Sequence, residues 1–238
     1  MPIDVLSFDE TLQRVTKAIE TRSLTQHVAM NVAKLVHARK NRALRDDIVS
    51  SDIVGVDGMG IVWAARLLGI PIAERVSGVD LMERLLGVCT VKGYRPYFLG
   101  ATNSNLEEAV ARCKSRWPSL EVAGFQDGYF DKESESKIVE NIRNSNADCL
   151  FIGMPTPHKE RFLSLYRNEL NVPFIMGVGG GIDILSDRVK RAPRAVQKAG
   201  LEWCYRIYQE PRRMIGRYAV TNIVFLGLLF REVLKIKR

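Results

Sequence analysis

The sequence predicts an α/β fold: a mostly parallel sheet flanked by helices, followed by a C-terminal basic helical appendage. Three observations predict it. Short apolar runs alternate with amphipathic stretches along most of the chain, the pattern of βαβ units. Most of those runs stop at a glycine or a polar residue, as strands do where they turn toward a following helix. Near Arg188 the strand pattern ceases and cations accumulate. Residues 187–238 hold 13 of the 35 Lys and Arg but 4 of the 27 Asp and Glu, a net of +9 against −1 for the rest.

The elements follow in order. Ser7-Phe8-Asp9-Glu10 is a capping box, and Leu12, Val15 and Ile19 behind it fall on one helical face. Strand-like runs occupy 27–30, 53–56, 96–99, 121–125, 149–152 and 173–176. Helical patterns lie between them near 32–42, 59–68, 78–88, 104–117, 132–144 and 158–169. We expect an α/β catalytic domain over 1–193 and the helical appendage over 194–238. The composition, 46% hydrophobic and 26% charged, excludes a disordered or collagen-like chain. Cys89, Cys113, Cys149 and Cys204 stand far apart with three histidines elsewhere, which argues for reduced, packed thiols rather than a zinc site or disulfide framework. Met1-Pro2-Ile3-Asp4 carries no basic or long apolar leader, so no signal peptide is expected. The apolar run 219–230 gives a helix of about 18 Å, short of the roughly 30 Å hydrocarbon core. It is too short to span a bilayer alone; it is expected to lie on one, the alternative being a terminal helix docked on the sheet or on a partner subunit.

In such sheets ligands bind at the carboxyl ends of strands. The residues there are Asn31, Asp57-Gly58, Gly100-Ala101-Thr102, Gly128-Tyr129, Gly153 and the run from Gly177 to Gly181. Glycines admit close backbone approach, and helix N-termini beyond them attract phosphate. Gly177-Val178-Gly179-Gly180-Gly181-Ile182-Asp183 is the strongest phosphate-loop candidate; it is neither a dinucleotide fingerprint nor a Walker A loop. Asp57 serves either as a desolvated general base or as the N-cap of the helix beginning near Met59, and spacing alone favours the cap. Arg75 precedes a second capping pattern, Ser77 with Asp80, and reads by default as a solvated surface charge, although its fork suits a diphosphate. His158 reads as an exposed helix-start residue. No Asp-x-Asp occurs. A nucleotide-sugar reaction here would therefore neutralise phosphate with Arg, Lys and helix dipoles, and no metal site or cofactor is expected.

Taken together, several strings resemble the WecG/TagA/CpsF family of bacterial glycosyltransferases over about residues 25–220. They are Asp57-Gly58-x-Gly60, the run from Glu74 to Leu81, Gly128-Tyr129-Phe130, Gly177-Val178-Gly179-Gly180, Arg191-Ala192-Pro193, and the block from Gly200 to Arg213 containing Glu202-Trp203, Tyr205-Arg206 and Glu210-Pro211. The resemblance implies a Rossmann-like domain and an inverting, metal-independent transferase. Such an enzyme moves a sugar from a UDP-sugar to a polyprenyl-diphosphate-linked sugar at the cytoplasmic face of the membrane, where it is peripheral. It further implies Asp57 as general base with Asn31 and Arg75 beside it. UDP would be held by Gly100, Ala101, Gly128, Tyr129, Gly153, Gly177, Gly179, Gly180 and Asp183, and the acceptor diphosphate by Lys159, Arg206 and Arg213. Two positions depart from the family pattern, Ala29 for a usual threonine and Lys159 for a usual glutamine. Glucose therefore stands beside N-acetylmannosamine as the sugar transferred.

A basic tail also suits an anionic membrane surface, at about 1 kcal/mol per cation near it. Nucleic-acid binding is the competing reading from charge, but the cations are interleaved with Leu, Phe and Val rather than set in a groove-reading motif. A nicotinamide oxidoreductase on the same sheet is disfavoured by the failed fingerprint. The sequence leaves a homo-oligomer open.

Overall fold

Six short segments pair into one all-parallel sheet; most are buried along their length, while the edge segment Gly124–Gln126 leaves Phe125 exposed. The computed structural model describes residues 1–236, with all their side chains except those of Lys198, Arg213, Arg217 and Ile236. In chain order the elements are α1 (Phe8–Glu20), β1 (Thr25–Met30), α2 (Val32–Ala38), α3 (Arg42–Ser50), β2 (Ile53–Val56), α4 (Met59–Leu67), α5 (Gly78–Lys92), β3 (Pro96–Gly100), α6 (Asn103–Arg116), β4 (Gly124–Gln126), α7 (Glu135–Asn144), β5 (Cys149–Gly153), α8 (His158–Tyr166), β6 (Phe174–Gly177), α9 (Gly181–Leu185), α10 (Arg194–Lys198), α11 (Glu202–Gln209) and α12 (Pro211–Ile236). The strand order is β2-β1-β6-β5-β3-β4. The register pairs Met30 with Val56, Leu99 with Ile152, and Ile152 with Gly177, so the carboxyl ends line up along one edge.

Alternation along the strands builds a core on each face. Phe98, Phe151, Phe174 and Met176 pack with Leu81, Leu85 and Leu106 on one side. Leu99, Leu150, Ile152 and Ile175 meet Ile138, Phe162 and Leu163 on the other. Phe98 and Phe151 stack at 5.6 Å between centroids, a contact that cross-strand neighbours on one face make naturally. Among the described residues the cysteines are free thiols, with Cys89 and Cys149 in buried contact at 3.8 Å.

The capping box forms as expected: the Ser7 hydroxyl accepts from the Glu10 N–H, and Glu10 accepts from the Ser7 N–H. Three local expectations are corrected. The pattern over 32–42 is a shorter helix, and a second helix follows at once, because Asn41 caps it by accepting from Leu44 N–H at 3.0 Å. Ser77 is the N-cap of α5 but makes no side-chain cap bond; its hydroxyl accepts from Arg191 instead. The fourth strand begins at Gly124 rather than 121, since pairing to Tyr97 starts there.

The tail is also longer than the apolar run suggested. Nothing between Arg212 and Ile236 breaks a helix, so α12 has 26 residues, about 39 Å at ~1.5 Å each. Its segment Met214–Lys235 is long and apolar enough, by length and composition, to cross a membrane. One stripe of it is nevertheless docked: Met214, Thr221 and Phe225 are buried, and Phe225 joins Val56, Ile61 and Val62 in a small core. The opposite stripe, Val220, Ile223, Leu226, Phe230 and Leu234, is exposed, each residue three or four after the last.

Candidate active site

Parallel pairing brings the end of β2 beside the end of β1, where the Asp57 N–H donates to the Met30 carbonyl at 2.8 Å. The segment before α5 joins them, with Val76 N–H donating to Val56 O at 2.8 Å. Gly78 fits this corner because a Cβ there would lie 3.2 Å from the Ala29 side chain and 3.8 Å from Asp57 Oδ2. Asp57 is not the cap of α4, as spacing had favoured. Gly58 is the N-cap, with no side-chain cap bond, so the carboxylate is free to face the strand ends.

Its surroundings set its chemistry. Burial pushes the Asp57 carboxyl up to about 6, against the pull of Arg75 and Lys34 and with a further push from Glu202. A carboxylate that titrates there is ionised at neutral pH yet basic enough to take a proton. Asn31 caps α2, its Oδ1 accepting from Lys34 N–H at 3.0 Å. Lys34 turns back so that its Nζ donates to the Ala29 carbonyl at 2.7 Å. Burial, foremost, lowers its pKa to about 8; Lys159 adds to the fall, while Asp57, Asp47 and Glu160 resist it.

Arg75 is not a solvated surface charge. Its side chain is mostly buried and donates to Glu202 of α11 at 2.9 Å. Nearby, Arg191 grips Asp80 with both Nη atoms, the Nη2 contact being 2.7 Å, and also reaches Ser77 Oγ at 3.3 Å. These two pairs tie the segment after α9 and the start of α11 to the mouth of the site.

The glycines divide into two groups. Gly100, at φ +124°, has no room for a side chain because a Cβ would lie 2.5 Å from the Gly153 carbonyl carbon. A Cβ at Gly128 would meet Gly100, and one at Gly153 would meet Ile182 and Gly179 O. Those three let backbones pack on one another. Gly179, at φ +52°, has nothing within 4 Å of a Cβ position, and Gly180 has only Asp183, so the open space lies at this turn. A cavity of about 250 Å³ adjoins it, lined by Gly180, Asp183, Arg188, Arg206, Gln209 and Glu210. Asp183 accepts from buried Asn105 at 2.7 Å. Ala101, at φ +56°, lies beside Gly100, and Tyr129 projects into solvent at the end of β4.

Lys159 departs from the expected acceptor contact. It is buried with its Nζ 2.7 Å from Asp47 and 3.3 Å from Glu160, and its stem fills the space beside Gly177. An ammonium so enclosed is neutralised within the protein and does not present itself to a ligand. Arg206 lines the cavity beside Gly180, whereas the Arg213 side chain lies outside the described residues, as do those of Arg217, Lys237 and Arg238. A larger groove of about 640 Å³ runs along α5 past Leu12, Val88 and Trp117 and contains none of the strand ends.

Sequence reasoning missed Lys34, Glu202 and Arg191 as members of this site. Lys34 carried one signal, standing three residues after a capping asparagine at a strand end. Glu202 and Arg191 carried none that identifies a partner, because Asp80 lies 111 residues from Arg191 and Arg75 lies 127 from Glu202.

The Glycosyl transferase WecG/TagA/CpsF family profile matches residues 1–238. An N-acetylglucosaminyldiphosphoundecaprenol N-acetyl-beta-D-mannosaminyltransferase of Bacillus spizizenii is 33% identical over 218 residues, 89% of this chain and 84% of that protein. A protein of the same name from Staphylococcus aureus strain MW2 is 30% identical over 245 residues, 99% of this chain and 95% of its own. A parallel sheet with a tuned carboxylate and arginines at its carboxyl edge is an arrangement suited to glycosyl transfer, and with a match along its whole length the chain belongs to the WecG/TagA/CpsF family and is a glycosyltransferase.

Proposed function

We propose that this chain transfers N-acetylmannosamine from its UDP-activated form to N-acetylglucosamine carried on undecaprenyl diphosphate, with inversion and without a metal ion. The observation that carries the reading is Asp57, a buried carboxylate at the end of β2 raised to about 6 against the pull of Arg75 and Lys34. The relatives' shared name supports the sugars. In this reading Asp57 accepts the proton of the acceptor hydroxyl while that oxygen bonds to the anomeric carbon. The anomeric carbon–oxygen bond to UDP breaks on the opposite face. Arg206, Arg75 and the backbone N–H groups near the open Gly179-Gly180 turn stabilise the departing diphosphate, a role that fixed donors perform without reorganisation. In this reading Asn31 acts beside the base, and Asp183, which lines the cavity, contacts the nucleotide.

The chain works, in this proposal, on the inner face of the cell membrane as a peripheral protein. The exposed stripe of α12 supplies the apolar contact and the flanking cations the attraction to anionic lipid. A helix whose other stripe is packed into the domain suits the interface better than the bilayer centre.

The test is a panel of UDP-sugars, including UDP-N-acetylmannosamine, UDP-N-acetylglucosamine and UDP-glucose, presented with polyprenyl-diphosphate acceptors. Product from UDP-N-acetylmannosamine alone is the expected result, and preferential transfer of glucose would replace the donor assignment. In the same assay, excess EDTA is expected to leave the rate within about twofold. Loss on chelation, restored by one divalent ion, would overturn the metal-free step.

A further inference from the structure

We infer that Asn105 is a positioning residue for Asp183, holding one oxygen of its carboxylate so that the other accepts a hydrogen bond from the nucleoside half of the UDP-sugar. The inference deepens the reading of Asp183 as a nucleotide contact and rests on it. Asn105 stands in the first turn of α6, just beyond the end of β3, and is 7% exposed. Its Nδ2 donates to Asp183 Oδ1 at 2.7 Å, across 78 residues of sequence. Asp183 Oδ2 has no hydrogen-bond partner among the described residues and lies beside the open turn, 3.7 Å from where a Cβ of Gly180 would stand. One carboxylate oxygen is thus engaged and the other presented.

Packing sets the place of α9 without this bond. Ile182 and Leu185 share a core with Leu106 and Val110 of α6, Arg188 donates to Ser104 Oγ at 3.0 Å, and Arg112 pairs with Asp187 at 3.4 Å. What the Asn105 bond adds is the direction of the carboxylate. Asn105 Oδ1 meanwhile is buried with no hydrogen-bond partner among the described residues, a penalty that an apolar side chain of similar size would avoid. Folding alone therefore gives little reason for an amide at this place. Charge then decides which part of the ligand Asp183 meets. Arg188 and Arg206 line the cavity with it. A carboxylate accepts hydrogen bonds and repels phosphate, so the arginines suit the diphosphate, and Asp183 suits a donor on the nucleoside, either a ribose hydroxyl or the uracil N3–H.

The test measures UDP binding by calorimetry, with melting temperatures, in wild type, Asn105→Leu, Asn105→Ala, Asp183→Ala and the double variant of Asn105→Ala with Asp183→Ala. Asn105→Ala carries the test if Asn105→Leu fails to fold. Each Asn105 variant is expected to weaken UDP binding about tenfold, close to the worth of one charge-assisted hydrogen bond. Its melting temperature and its binding of inorganic pyrophosphate should stay near wild type. The double variant is expected to bind UDP no more weakly than Asp183→Ala alone, because Asn105 acts through that carboxylate. Among 2′-deoxy-UDP, 3′-deoxy-UDP and N3-methyl-UDP, the analogue that wild type binds worst identifies the donor, and its penalty is expected to shrink in Asn105→Ala. Additive losses in the double variant, or equal weakening of UDP and pyrophosphate, would overturn the inference and leave Asn105 a structural residue. Wild-type UDP binding by the Asn105 variants, with weak binding by Asp183→Ala, would overturn the positioning role alone. Unchanged binding by Asp183→Ala, or no penalty for any of the three analogues, would remove the nucleotide reading of Asp183 and the inference with it.

Discussion

Asp57→Asn is expected to lower turnover by about 10²-fold or more while the dissociation constant for UDP stays close to wild type. The amide keeps the size and polarity of the side chain but cannot take a proton. Because Gly58 rather than Asp57 caps α4, the substitution removes no cap bond, and thermal stability should change little. The pH dependence has a definite sign. The carboxylate must be ionised to act, and it titrates near 6, so wild-type kcat/KM should fall as pH drops through that value and level off above it. Steady-state kinetics with calorimetric UDP binding check both halves. Turnover within a few-fold of wild type would strip Asp57 of its role.

The second large effect is expected from the exposed stripe of α12. Ile223→Glu, Leu226→Glu and Phe230→Glu together place charge where side chains are 61–71% exposed and touch little of the domain. Each buried apolar side chain contributes roughly 1.5–3 kcal/mol on leaving water, so losing three should cut binding to anionic vesicles by well over tenfold. UDP affinity and melting temperature should hold. Transfer to a lipid-linked acceptor should fall much further than transfer to a short soluble analogue. Phe225→Ala provides the contrast, since it empties a place in the core beneath α12 and should destabilise the protein by about 3 kcal/mol. Unchanged vesicle sedimentation by the triple variant would show that the stripe does not bind lipid. Cutting away the whole helix would be less informative, because Met214, Thr221 and Phe225 belong to the packed interior.

The sequence by itself determined the strands and their sense. Runs such as 53–56 and 149–152 are apolar at every position and too short for helices, so they had to be buried on both faces, and a chain alternating them with helices has few alternatives to a parallel sheet. It also determined where the glycine turns fall and that Asp57 and Asn31 end neighbouring elements, since both follow from local pattern. The helix start at Ser7 was legible because a capping box is a four-residue interaction.

The tertiary structure alone decided which charges meet. Arg75 reads as solvated from its neighbours, yet Glu202 reaches it from α11. Lys159 reads as a ligand-facing cation, yet Asp47 and Glu160 enclose it. Asp57 could not be told from a helix cap until Gly58 took that place and burial, with Arg75 and Lys34 pulling against it, set the carboxylate's pKa. The same holds for α12, whose composition alone permits a membrane span but whose inner stripe is occupied by α2 and α4. The physical reason is common to all four. Secondary structure follows from interactions within a few residues, whereas the protonation and pairing of a charge depend on desolvation and on partners a hundred residues away, which exist only once the sheet has assembled.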